Sequence, residues 1–203
     1  MKAGFVGELL GRSDYAIIGE IVEPKTKVLD LGCGEGELLE WLANNKGVDA
    51  RGVELSGAKV QKAIARGVSV FQCDIDEGLA DYPDQAFDYV ILSQTLQETR
   101  HPLNVLRGML RIGRYGIVAF PNFAHWSVRL SHLWTGRAPK THLFPHDWHD
   151  SPNIHFLTVL DFEALAAKEK WHVERRMFLS GHRQVTLFPN LMSEVAVFLF
   201  SGS

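Results

Sequence analysis

Between Val28 and Leu38 the chain reads VLDLGCGEGEL. A short apolar run ends in Asp30, glycines follow at positions 32, 34 and 36, and a helix-forming stretch opens at Glu37. Glycine permits positive φ and lets backbone approach a ligand closely. In open α/β sheets ligands sit beyond the carboxyl ends of the strands, where strand order reverses. The loop therefore reads as a cradle built from Asp30, Gly32, Cys33, Gly34 and Gly36. Charge narrows the ligand. A dinucleotide fingerprint is G-x-G-x-x-G with a pyrophosphate on the helix N-terminus, whereas the spacing here is G-x-G-x-G. Asp30, Glu35 and Glu37 are acidic and the loop carries no Lys or Arg. Each like charge close to a pyrophosphate would cost about 1–4 kcal/mol. A Walker-type loop would also need Lys and Ser/Thr after the glycines, and these are absent. A ligand with a cationic centre and no phosphate fits better; S-adenosylmethionine has a sulfonium, an ammonium and one carboxylate.

Two more carboxylates extend the pattern. Glu54 ends a second strand, 18 residues after Gly36, where a carboxylate can accept from both hydroxyls of a ribose. Asp74 follows a third strand, in Phe71-Gln72-Cys73-Asp74-Ile75, and can accept from an adenine amino group. Leu55 and Ile75 can cover the two faces of the ring. Taken singly, Glu54 or Asp74 reads equally well as a solvated strand end. The joint spacing is what points to a nucleoside.

These residues need strand ends to hold them. Val28–Leu31 reads as a buried strand, and Arg51–Glu54, Val68–Cys73, Phe87–Ser93 and Gly116–Phe120 read as further strands. Between them, Arg12–Glu23, Glu37–Asn44, Ala58–Arg66 and the stretch holding Leu103, Leu106 and Leu110 show apolar residues at helical spacing. Such alternation predicts right-handed crossovers and a parallel sheet covered on both faces. The rhythm then changes. Asp161–Glu169 is a helix, while Trp171–Leu179 and Glu194–Phe200 are strands joined by a loop alone, so they pair antiparallel. Cys33 and Cys73 end strands on either side of the second one, about 10 Å apart by two strand spacings, too far for a disulfide.

The 203 residues suit one domain, 1–203, with an insertion at 122–155. Hydrophobic residues at 46% and charged residues at 22% exclude disorder. A net charge of −3 disfavours nucleic acid as a partner. No signal peptide is visible, and no apolar run nears the roughly 20 residues that span a bilayer. With two cysteines, the expectation is a soluble cytoplasmic protein without membrane contact.

The insertion holds His125, His132, His142, His146, His149 and His155, and Trp126, Trp134 and Trp148. The spacing H-x3-H-x2-H is not a standard zinc pattern, and Pro139, Pro145 and Pro152 work against a helical presentation, so no metal is expected. Trp126, Leu130, Leu133 and Trp134 share one helix face. Such a stripe is ordinarily core; over a pocket mouth it can instead be a lid or a partner surface.

VLDLGCGEG, the acidic Glu54 and Asp74, and FDYVILSQTLQ resemble the motifs of class I S-adenosylmethionine-dependent methyltransferases. That resemblance implies a Rossmann-like doubly wound α/β sheet of seven strands, order 3-2-1-4-5-7-6, with the last strand antiparallel. It also sets Ser93 and Gln94 at the border of cofactor and substrate opening. The longer strings VLDLGCGEGELLEWLANNKGV, DIDEGLADYPDQAFDYVILSQTLQETRHP, VAFPNFAHWSVRL and SPNIHFLT are similar to the MetW family of methionine-biosynthesis proteins, insertion included. Membership would imply work beside a homoserine O-acyltransferase, as an associated or regulatory subunit that binds S-adenosylmethionine or S-adenosylhomocysteine. An ordinary small-molecule methyltransferase is the alternative. No catalytic acid, base or nucleophile stands out, and the N/D-P-P-Y/F motif of amino-methylating enzymes is absent. Methyl transfer rests chiefly on alignment, so the absence leaves both readings open.

Overall fold

The computed structural model describes residues 12–202. Most of the stretch read for a leader, residues 1–11, lies outside the described residues. The first half alternates helix and strand: α1 (Ser13–Ile21), β1 (Lys27–Leu31), α2 (Glu37–Lys46), β2 (Asp49–Glu54), α3 (Gly57–Ala65), β3 (Ser69–Gln72), β4 (Phe87–Ser93), α4 (Pro102–Ile112) and β5 (Gly113–Pro121). The second half contains α5 (Trp126–Thr135), α6 (Val159–Lys168), β6 (His172–Ser180), β7 (Arg183–Gln184), α7 (Pro189–Met192) and β8 (Val195–Ser201).

All strands join one sheet in the order β3-β2-β1-β4-β5-β8-β6-β7. Strands β1 to β5 are parallel, and β8 runs antiparallel to both β5 and β6. The seven expected strands are present in the expected order, with β8 as the seventh. The correction is an eighth, β7, a two-residue hairpin partner of β6. Two residues are too few for alternation to show in a sequence.

Side chains alternate across a strand, and that period sorts the core into two layers. Val28, Ile91, Ile117 and Val197 face α1 and α2, where Ile18, Leu38 and Leu42 are buried. Leu29, Leu92, Phe120 and Phe198 face the other way, onto Leu106 and Met109 of α4 and Phe162 of α6. Covered on both faces, the central strands read as unbroken apolar runs. Helix α6 opens two residues before the Asp161 expected from sequence because Thr158 and Asp161 form a capping box. The Asp161 N–H donates to Thr158 Oγ1 (3.2 Å), and the Thr158 N–H donates to Asp161 Oδ2 (3.0 Å).

The insertion is pinned at both ends. Asn122 is fully buried and donates through Nδ2 to the carbonyls of Asn190 (3.1 Å) and Ser193 (2.9 Å). At the far end the Ile154 and His155 N–H groups both donate to the Gln97 carbonyl (2.8 and 3.0 Å). These bonds hold the segment over the loop that follows β4.

Phe198 is completely buried, with ring centroids 4.5 Å from Phe162 and 5.9 Å from Phe120. Phe198→Ala should therefore cost about 3–5 kcal/mol in urea denaturation; a loss under about 1 kcal/mol would mean this layer is loosely packed.

Candidate functional site

Strands β1, β2 and β4 end along one edge of the sheet, and a cleft of about 650 Å³ opens there. Its base is the turn after β1. The Gly32 and Cys33 N–H groups both donate to the Val53 carbonyl (2.8 and 3.0 Å), which bends the turn over the end of β2. Gly32, Gly34 and Gly36 have φ of +74°, +58° and +80°. They serve different ends. A Cβ at Gly32 would lie 2.7 Å from Thr95 Oγ1, and one at Gly36 would lie 3.0 Å from Ala63 Cβ in α3. A Cβ at Gly34 would meet nothing, because that position faces the open cleft.

Glu54 is buried at 7% exposure. Its Oε2 accepts from the Gly34 N–H and its Oε1 from the Ser56 N–H, each at 2.9 Å. The carboxylate is thus fixed in orientation, and each oxygen keeps lone-pair capacity for a ligand. Asp74 accepts from the Asp76 N–H through Oδ1 (2.9 Å) and from Arg100 Nη2 through Oδ2 (2.5 Å). Asp76 accepts the N–H groups of Arg100 and His101 (2.9 Å each). Burial raises the Asp76 pKa, but these two N–H groups and the nearby Arg100 charge outweigh it and leave the group below the ordinary carboxylate range.

At the other wall Arg12 donates to Asp14 Oδ2 (2.6 Å), to Ser93 Oγ (2.9 Å) and to the Tyr15 hydroxyl (2.9 Å). Ser93 Oγ in turn donates to Asp14. Gln94 has φ +56°, a left-handed conformation that costs of order 1–3 kcal/mol for a non-glycine residue. Beneath this wall lies Asp30, 3% exposed, with Oδ1 lacking any hydrogen-bond partner. Its pKa is pushed up to about 7, chiefly by burial; Arg12 opposes the rise, and the Asp14 and Glu54 charges add to it. An orphaned buried carboxyl oxygen retains capacity to accept a hydrogen bond.

The family model described as "Methionine biosynthesis protein MetW" matches residues 12–200. The chain belongs to the MetW family. The bifunctional methionine biosynthesis protein MetXA/MetW of Rhodopirellula baltica is 34% identical over 200 residues, covering 92% of this chain and 32% of that protein. The chain therefore spans about a third of that relative's length. Among solved structures, an S-adenosylmethionine-dependent methyltransferase from Mesorhizobium loti aligns with a TM-score of 0.68 at 15% identity, covering 94% of this chain and 98% of that one. Magnesium protoporphyrin IX methyltransferase from Synechocystis, solved with bound S-adenosylhomocysteine, aligns at 0.65 with 14% identity, covering 99% and 83%. The fold of this MetW-family chain is that of the class I methyltransferases.

Of the residues singled out in the sequence, Gly32, Gly34, Glu54, Leu55, Asp74, Ile75, Ser93 and Gln94 line the cleft. Asp30, Cys33 and Gly36 do not; Cys33 is buried, and a Cβ at Gly52 would lie 2.5 Å from its Sγ. Glu35 and Glu37 turn away to α3, where Glu35 pairs with Lys62 (2.6 Å) and Glu37 with Arg66 (3.5 Å). The acidity of the cleft comes instead from Glu54, Asp74, Asp76 and Glu98. Arg12, Tyr15, Lys59 and Arg100 also line it and had no signal in the sequence. The Arg12–Ser93 contact bridges 81 positions, beyond any local pattern.

The histidines of the insertion are dispersed. His142 Nε2 lies 2.9 Å from Glu194 Oε1, His149 faces Asp150 at 3.3 Å, and His125 Nδ1 lies 2.8 Å from Ser127 Oγ. Among the described residues no group of three or more His, Cys, Asp or Glu is arranged to hold a metal. Both cysteines are free. Among the same residues no helix is long and apolar enough to cross a membrane. The aromatic stripe of α5 is not core: Trp126, Leu133 and Trp134 are 47%, 74% and 77% exposed. Only Val128 of that helix is buried; it lines the same cavity as Phe123 and Phe144.

A folded-state pKa above the unfolded value means that the native protein binds the extra proton. Asp30 should therefore make stability fall as pH rises from about 4 to about 7, by up to about 4 kcal/mol. Asp30→Asn should remove that slope. Urea denaturation should show the variant gaining on the wild type between pH 4 and pH 8 by a few kcal/mol. A difference independent of pH would mean that Asp30 is ionised in the fold at an ordinary pKa.

Proposed function

We propose that the cleft binds S-adenosylmethionine or S-adenosylhomocysteine, and that the chain works with homoserine O-acyltransferase as its partner and regulatory subunit. The observation supporting the ligand is the Glu54 carboxylate, held by two backbone N–H groups at a strand end and open to a diol. The other residues fit the same nucleoside. Asp74 can accept from the adenine amino group, and Leu55 and Ile75 can cover the ring. Arg12 offers a cation for the amino-acid carboxylate. The unpartnered Asp30 supplies negative charge beneath the site for the ammonium and sulfonium. When bound, the ligand would bring an activated methyl group; the chain's own residues bind and orient it.

The partnership rests on the MetXA/MetW relative, in which the two names share one chain. Fusion keeps two modules at an effective concentration of about millimolar, which suits proteins that act in contact. The insertion is the proposed contact, through the exposed Trp126, Leu133 and Trp134. Tryptophan is enriched at interface hot spots. Because residues 154 and 155 hang on Gln97, beside Glu98 in the cleft, ligand and partner can influence each other, reciprocally by linkage.

One observation favours the second reading, methyl transfer to a small molecule. Glu98 lines the cleft, and its pKa is raised by burial, with Glu54 adding and Lys59 and His146 opposing. Such a carboxylate is a candidate general base. Labelled S-adenosylmethionine offered with a metabolite panel separates the readings, since turnover lost in Glu98→Gln would favour catalysis.

Calorimetry tests the ligand. Glu54→Ala removes charge-assisted hydrogen bonds worth roughly 1.5–3 kcal/mol each, so affinity for S-adenosylhomocysteine should fall at least about tenfold. Gly34→Val, which puts a side chain into the cleft at positive φ, should abolish binding. Unchanged affinity in both would move the ligand elsewhere. For the partner, a titration with the acyltransferase should give a complex that Trp126→Ala/Trp134→Ala weakens at least about tenfold. No complex at about micromolar concentration would remove the partner role.

A further inference from the structure

A second cavity, of about 590 Å³, lies within the insertion. That volume falls within the roughly 300–1,000 Å³ of small-molecule sites. Its floor is apolar: Phe144 and Val128 are buried, and Phe123 stacks on Phe144 with ring centroids 3.9 Å apart. Phe156 meets Phe123 edge-on at 4.8 Å and is 71% exposed at the rim.

The rim carries one formal charge, Arg129. His132 and His146 also line the cavity, and among the described residues no Asp or Glu does. Arg129 is anchored by its Nε, which donates to the Ala124 carbonyl (2.6 Å). Among the described residues its two terminal nitrogens have no carboxylate or carbonyl partner. A guanidinium fixed at Nε and free at its ends presents a fork to an anion. Lys140, next to Pro139 of the cavity wall, is paired with Asp147 (2.9 Å), which leaves the rim charge to Arg129.

We infer that this cavity is a binding site for a small amphipathic carboxylate, with its apolar body on Phe123 and Phe144 and its head group on Arg129. A neutral apolar ligand would leave the fork unused, and a cationic one would meet repulsion from it. The site is separate from the cleft and needs no bound nucleoside. The inference therefore stands or fails independently of the cofactor reading.

Decanoate is a suitable probe, with decanol and decyltrimethylammonium as its neutral and cationic counterparts. Calorimetry on the full chain should show one equivalent of decanoate binding below about 1 mM. Arg129→Gln should weaken decanoate at least about tenfold while leaving decanol unchanged. Phe156→Ala should weaken both, and the ammonium should not bind. Arg129 and Phe156 are exposed, so both variants should keep the wild-type melting temperature. Absence of saturable decanoate binding, binding of the ammonium as tight as that of decanoate, or an unchanged decanoate affinity in Arg129→Gln would each overturn the assignment.

Discussion

The Glu54 carboxylate accepts the N–H groups of Gly34 and Ser56, and this clasp ties the turn after β1 to the end of β2. Much of the cleft depends on it. The turn can reach Glu54 only because three residues take positive φ, and two of them also lack room for a Cβ against Thr95 and Ala63. Thr95 belongs to the loop after β4, and Ala63 to α3. One buried carboxylate therefore sets the relative positions of three strand ends and a helix.

Behind the clasp the chain buries a carboxyl group whose Oδ1 finds no hydrogen-bond partner among the described residues. Asp30 ends up buried with an unsatisfied oxygen, near Asp14 and Glu54, with Arg12 as the opposing cation. A fold selected for stability alone would place an apolar residue there. An unmatched carboxyl under an open cleft is the kind of local conflict that marks a site built to receive something.

The insertion divides its work between two faces. Val128 turns inward on α5, Trp126 and Trp134 turn to solvent, and the loop that follows folds back as far as Gln97. The exposed Trp and Leu side chains form an apolar surface of a kind that monomers seldom leave uncovered. The cavity behind α5 is a different environment, floored by stacked phenylalanines with Arg129 at its rim. The insertion thus brings an apolar outer face and a pocket with a basic rim close to the same cleft.

The parallel sheet was legible in the sequence, because strand and helix periods alternate and a sheet covered on both faces needs apolar runs at its centre; its strand order came from the resemblance to the class I methyltransferases. The glycine spacing, Glu54 and Asp74 were legible because each stands at or just past the end of a strand. What local pattern could not carry was decided by tertiary structure. Glu35 and Glu37 look like part of the loop's acidity until α3 brings Lys62 and Arg66 against them. Arg12 joins the cleft only because α1 packs beside the end of β4. The Trp126–Trp134 stripe has the spacing of a core face, yet it stays exposed because no element among the described residues lies opposite it. Periodicity specifies which side of a helix is apolar; only the packed chain decides whether that side finds a neighbour.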